Sequence, residues 1–341
     1  MAEIALRSEK NNRTVLKDVI PLDTPYLMGI FLGDICNFRC KYCIQSADDS
    51  TTEKKDLKRR FLDWDMFVRI VDSAKQFPHK IKKILLSSIG EPLLNPHVIE
   101  MVRYMKEVDL AGEYEIVSNA SMLTKEMTEG LVDAGLTRLC LSLQGLDAET
   151  YREVCGYEVD YDTFYHNIKY FYEYSRGKCR LHIKTVDMAL KDGEESRFYD
   201  MYSPICDTIH IDKVMPVFKG VDYSGIVKDT SPFTQERFAE LQGLCCSPIF
   251  YTLYTLADGT VAPCCDHPQP TTFGNIMERS LPEIWNGPER KEFLLMHLNH
   301  NRCQNEICKQ CHAPLNRKFD EDILDGYEEE IKHRILMDSV Q

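Results

Sequence analysis

Three cysteines stand within eight residues, Cys36, Cys40 and Cys43, spaced C-x₃-C-x₂-C. Three thiolates can hold three irons of a cubane [4Fe–4S] cluster, which leaves the fourth iron without a protein ligand. An open iron is a place for a small chelating molecule. Zinc is the rival, but a closed structural zinc site takes four ligands, and no His or Cys follows nearby to complete one. A disulfide framework fits less well, because three is odd and the opening Met1-Ala2-Glu3-Ile4 leads into polar sequence, not an apolar export signal.

A second group of cysteines lies far along the chain: Cys245, Cys246, Cys264, Cys265, Cys303, Cys308 and Cys311. Between Cys246 and Cys264, residues 250–256 read as a strand and Asp258-Gly259 as a hairpin turn, which brings Cys264 back beside Cys246. Cys308-x₂-Cys311 offers a chelating pair. Four thiolates from a hairpin and a C-x₂-C would close a cluster completely. A four-cysteine zinc site is the alternative. Cys245 can stand in for Cys246, and Cys265 for Cys264, since sequence does not rank adjacent residues. Cys265 and Cys303 read as thiols packed behind the ligands or merely buried or, more sharply, one of them as a hydrogen-atom donor.

These residues need elements to position them. Residues 26–32 form an apolar run of strand length that delivers the chain to Asp34, a cap for the loop, and the first three cysteines. Strand and helix signals then alternate. Helices are expected over 61–77, 96–106, 124–134 and 163–175 and from 197; strands over 83–88, 114–119, 138–144, 181–186 and 208–214. Strands separated by helices make parallel βαβ units with right-handed crossovers. The fold class is α/β: a partial (β/α)6 barrel with a small C-terminal β-hairpin/helix auxiliary-cluster domain. Residues 1–25 read as a lead-in, 26–218 as the partial barrel, 219–244 as a bridge and 245–341 as the auxiliary domain. Helices are expected over 288–299 and over 320–337, the latter with Ile323, Leu324, Tyr327, Ile331 and Ile335 on one face.

Bulk composition narrows the class. The chain has 341 residues, net charge −13 and 43% hydrophobic residues, ordinary for a globular protein. A duplex-binding protein needs a basic footprint, and the longest basic run, Lys54 to Arg60, is broken by Asp56. No nucleic-acid partner is expected. No window is long and apolar enough for a membrane span, so no membrane partner is expected either, and the reading is a cytoplasmic, thiol-reduced protein.

The C-x₃-C-x-aromatic-C loop, placed after a first strand, resembles that of radical S-adenosylmethionine (radical SAM) enzymes, over residues 26–217. The resemblance implies that S-adenosyl-L-methionine chelates the open iron of the first [4Fe–4S] cluster. Its reductive cleavage yields a 5′-deoxyadenosyl radical that abstracts hydrogen from substrate. Ile89-Gly90-Glu91-Pro92 stands where the family carries Gly-Gly-Glu-Pro, so Gly90, Glu91 and Pro92 are expected at the methionine end. Ser118 and Asn119 stand at the family's Thr-Asn-Gly, with Ala120 in place of the Gly. Ser142 and Gln144 occupy the ribose-contacting strand end, Lys184 is the cation for the methionine carboxylate, and Tyr42 packs beside the adenine or the cluster. The phrases Asp-Gly-Thr-Val-Ala-Pro-Cys-Cys, Phe-Gly-Asn-Ile and Glu-Ile-Trp-Asn resemble the SPASM/twitch module. That resemblance assigns Cys246, Cys264, Cys308 and Cys311 to one auxiliary [4Fe–4S] cluster.

The resemblance implies a radical SAM oxidoreductase that dehydrogenates or epimerises a carbohydrate- or aminocyclitol-like small molecule, fed by a flavodoxin- or ferredoxin-type electron donor. The short N-terminal segment favours a small substrate over a peptide. A peptide maturase is the second expectation, and a non-catalytic Fe–S or zinc protein the third. No general base is assigned; Asp266, His267 and His312 flank the second cysteines.

Overall fold

The computed structural model describes residues 2–7, 13–87, 89–218, 220–228, 244–312, 314 and 319–337. Most of the expected bridge, residues 219–244, lies outside them. The described strands are β1 (Glu3–Ile4), β2 (Leu27–Phe31), β3 (Ile81–Ser87), β4 (Ala111–Ser118), β5 (Arg138–Leu143), β6 (Arg180–Val186), β7 (Thr208–Asp212), β8 (Thr252–Thr255), β9 (Thr260–Ala262) and β10 (Gly274–Asn275). They join in one sheet of order β1-β7-β6-β5-β4-β3-β2-β8-β9-β10. From β2 to β7 every neighbouring pair is parallel, as helical crossovers require.

The described helices are α1 (Leu16–Val19), α2 (Thr52–Lys55), α3 (Trp64–Ala74), α4 (Val98–Glu107), α5 (Lys125–Asp133), α6 (Ala148–Cys155), α7 (Tyr161–Ser175), α8 (Glu195–Tyr202), α9 (Leu281–Trp285), α10 (Pro288–Leu298) and α11 (Glu328–Met337). Local chemistry sets several starts. The side chains of Asp63, Thr124, Asp147 and Asp160 each accept the N–H three residues on, at α3, α5, α6 and α7. Side chains alternate along a strand, and here the alternation separates two environments. Ile84, Leu86, Tyr114, Ile116, Leu139 and Leu141 are fully buried in the apolar core. Their alternates Lys83, Glu113, Arg138 and Lys184 line a cavity of about 1130 Å³. Tyr42, Ser247, Tyr251 and Phe319 complete parts of its wall.

Three features depart from the sequence expectations. The lead-in is not detached: β1 pairs parallel with β7, and Arg7 reaches Glu115 at 2.6 Å. The hairpin β8–β9 is part of the main sheet, because β8 pairs parallel with β2. Gly29 permits this junction; a Cβ there would lie 2.1 Å from the Tyr254 ring. The helix expected over 320–337 is shorter. A 3₁₀ turn at Asp320–Asp322 is followed by Gly326 at φ +88, and α11 starts only at Glu328. Ile323 and Tyr327 are exposed, while Leu324, Ile331 and Ile335 are buried. Among the described residues no helix is long and apolar enough to cross a membrane.

Candidate active site

β2 ends at Phe31 and the chain enters the loop 36–43, nearly every residue of which has its own anchor. Asn37 donates to Ser121 Oγ (2.8 Å) and accepts from Asn119 Nδ2 (3.0 Å). The Phe38 ring packs on Tyr157 and edge-on to Tyr151, with centroids 4.7 and 6.1 Å away. The Arg39 and Lys41 N–H groups donate to the Cys155 and Val154 carbonyls at 2.8 and 2.9 Å. The last turn of α6 is thus the platform of the loop. The sequence reading does not include this helix, although Asp147 at its start and Gly156 (φ +63) at its end are ordinary start and stop signals.

Cys36, Cys40 and Cys43 lie close enough for their charges to be felt mutually at Cys40. A hydrogen bond to Cys155, then burial, raises the Cys40 thiol; burial pushes Cys36 up to about 11. Without a cation these thiols stay protonated, and metal would displace the protons. Among the described residues no three His, Cys, Asp or Glu side chains converge as ligands of a single ion. A cubane does not ask for that, because each thiolate binds a different iron. Three thiols on one anchored loop fit such a cluster.

The turn after β3 closes against this loop. A Cβ on Gly90 would lie 2.1 Å from the Ile35 carbonyl oxygen, so only glycine fits, and the Glu91 N–H donates to that same oxygen at 2.8 Å. The Glu91 side chain is 3% exposed. Its Oε1 accepts from Ser118 Oγ (2.7 Å) and the Leu93 N–H (3.0 Å), and its Oε2 from the Asn119 N–H (2.7 Å). Burial pushes the carboxyl up to about 7, against the pull of these three donors. Glu91 therefore ties the β3 turn to the end of β4. Pro92 starts the 3₁₀ turn that follows. Ala120 adopts φ +66, a left-handed conformation that favours glycine.

The Tyr42 hydroxyl donates to Gln144 Oε1 at 2.7 Å, and Gln144 Nε2 donates to the Ser142 carbonyl. Ser142 pairs in register with Lys184 on β6. Lys184 is already engaged: its Nζ lies 2.8 Å from Asp212 Oδ2, and His210 Nε2 is 3.7 Å from the same carboxylate. Tyr42, Lys184, His210 and Asp212 face one cavity. Below them Glu115, with no side-chain exposure, meets Arg7, Lys83 and Arg138. Burial alone would raise its pKa; the three cations hold it down at about 2.

In the second cysteine group, Cys246 lies near enough to Cys264 and Cys308 for its charge to raise both. Burial is the main cause in each case and pushes Cys308 up to about 12. Asp266 hydrogen-bonds Cys311. Four thiols brought together by the hairpin and the 308–311 turn fit a closed cluster. Cys245 is buried, its N–H donating to Asp325 Oδ1 at 2.9 Å. Cys265 is exposed beside Tyr254, and Cys303 is exposed.

Residues 30–191 match the model of the Radical SAM superfamily. This stretch is a radical SAM domain. Residues 245–312 match an iron-sulfur cluster-binding domain, SPASM, which makes this a radical SAM protein with a SPASM domain in its C-terminal region. The chain is 33% identical over 130 residues to a GTP 3′,8-cyclase of Microcystis aeruginosa, a match over 38% of this chain and 37% of that protein. The chain thus spans little more than a third of that relative's length. Two solved structures share the fold. BtrN in complex with AdoMet and 2-DOIA aligns at TM-score 0.53 and 17% identity, over 84% of this chain and 92% of BtrN. SuiB of Streptococcus suis bound to S-adenosylmethionine aligns at TM-score 0.61 and 17% identity, over 90% and 78%.

Proposed function

We propose that this radical SAM enzyme oxidises or epimerises a small, polar, carbohydrate- or aminocyclitol-like molecule in the charged cavity beneath Tyr42. Bound at Cys36, Cys40 and Cys43, a [4Fe–4S] cluster with S-adenosylmethionine would supply the hydrogen-abstracting radical. The chain's own part is positional. Gly90, Glu91 and Pro92 face the methionine end, Ser118 and Asn119 the nucleoside, Ser142 and Gln144 the ribose and carboxylate, and Tyr42 packs beside the adenine or the cluster. Lys184 is the cation for the methionine carboxylate, His210 and Asp212 present polar groups to the substrate, and the Cys246, Cys264, Cys308 and Cys311 thiols would hold one auxiliary cluster that takes up an electron. A flavodoxin- or ferredoxin-type protein is the proposed donor. The observation that carries the reading is the composition of the cavity wall: ion-paired and hydrogen-bonding side chains stand at the inward positions of successive strands, which suits hydroxyl and amino groups of a substrate.

A second reading, a peptide maturase, draws support from the likeness to SuiB, which has also been solved bound to the precursor peptide SuiA. The test is common to both. Protein reconstituted with iron and sulfide and reduced with dithionite should release 5′-deoxyadenosine from S-adenosylmethionine; no release would sink both. Added aminocyclitols or sugars should then increase that release and leave an oxidised or epimerised product by mass spectrometry. Stimulation by a peptide alone would favour the second reading.

A further inference from the structure

Arg302 is 1% exposed, inside the SPASM region, and belongs to the 3₁₀ turn Arg302–Gln304. Its guanidinium donates to the backbone carbonyls of both Cys308 and Cys311, the latter at 2.9 Å. These two residues are the C-x₂-C pair. A single guanidinium nitrogen, Nη2, therefore bridges the carbonyls at both ends of the chelating turn. Arginine stays charged at any ordinary pH, so a fixed positive charge sits against the two carbonyls, close enough for the Cys308 thiol to feel it. The imidazole of His297, packed nearby, adds no charge, since burial pushes its pKa down to about 3. The nearby acid, Asp266, reaches Cys311 from the hairpin.

We infer that Arg302 is the positioning residue of the auxiliary site, holding Cys308 and Cys311 in chelating geometry and making the auxiliary cluster easier to reduce. The physical reason is general. Adding one electron makes a cluster more negative, and a buried cation close to its ligands stabilises that state. In an oxidation, one electron from the substrate radical would reduce this cluster while the accompanying proton leaves to a base. This inference rests on the auxiliary-cluster reading above.

The experiment separates the two. Iron analysis of the reconstituted wild-type protein comes first: about eight Fe per chain keeps the auxiliary cluster, and about four removes both that reading and this inference. With eight Fe present, an EPR-monitored redox titration of wild type, Arg302→Gln and Arg302→Lys follows. In Arg302→Gln the auxiliary midpoint should move to a more reducing potential and the first cluster's should not. Arg302→Lys keeps the positive charge and should keep the wild-type potential; a shift as large as that of Arg302→Gln would overturn the charge argument. An unchanged auxiliary midpoint at full iron loading in Arg302→Gln would overturn the inference. If Arg302→Gln loses about four Fe but keeps the first-cluster EPR signal and the wild-type circular dichroism, the positioning role stands. If it loses both clusters or the fold, Arg302 is a general structural residue and the inference fails.

Discussion

The Tyr42 hydroxyl and Gln144 Oε1 lie 2.7 Å apart, a bond that joins the first cysteine loop to the end of β5 across 102 residues of sequence. Gln144 is buried. Tyr42→Phe leaves its acceptor without this donor, a loss of about 1–3 kcal/mol. The expected result is a lower melting temperature of the reconstituted protein and weaker S-adenosylmethionine binding by calorimetry. Unchanged affinity would separate Tyr42 from the nucleoside site.

Glu91 makes stability fall with rising pH over a defined window. Burial pushes its carboxyl up to about 7 when folded, against 4.5 for an unperturbed glutamate. The folded state therefore holds its proton more tightly, and the stabilisation is complete below about 4.5 and lost as pH rises through 7. At 1.36 kcal/mol per unit the effect is on the order of 3 kcal/mol. Glu91→Gln should flatten denaturant midpoints measured from pH 5 to 8; an unaltered slope would show that another group causes it.

Glu115 acts in the opposite direction and in a lower window. Its pKa falls from 4.5 to about 2 beside Arg7, Lys83 and Arg138. The stabilisation is present above 4.5 and is lost as pH falls toward 2. Glu115→Gln leaves three cations around a neutral amide, a loss of about 3–5 kcal/mol. Acid unfolding monitored by circular dichroism should shift to higher pH in this variant.

Cys308→Ala should lower iron by about four atoms per chain, one cubane, and leave 5′-deoxyadenosine release detectable. Cys40→Ala should lower iron by a similar amount and abolish that release. Equal loss of release in both variants would contradict a division of labour between the two cysteine groups.

The alternation of apolar strands and amphipathic helices was readable because period 2 and period 3.6 are local signals. So were the two cysteine groups, whose spacing carries ligand logic without coordinates. The helix Ala148–Cys155 was missed despite its Asp147 and Gly156 boundaries, because it is short and its apolar positions are few. The break at Gly326 was also missed: the face from Ile323 to Ile335 has helical spacing, yet the glycine takes a positive φ and the chain restarts at Glu328.

By itself the sequence determined the order of the strands, the three-thiol loop after β2 and the C-x₂-C pair near the end. Only the tertiary structure decided which groups these meet. Pairing of β8 with β2 depends on a close approach of Tyr254 to Gly29, across more than 220 residues. Lys184 finds Asp212, Glu91 finds Asn119, and Arg302 closes on the carbonyls of Cys308 and Cys311. Long-range hydrogen bonds and ion pairs form between whichever polar groups the folded backbone brings within about 3 Å, and no local periodicity encodes that distance.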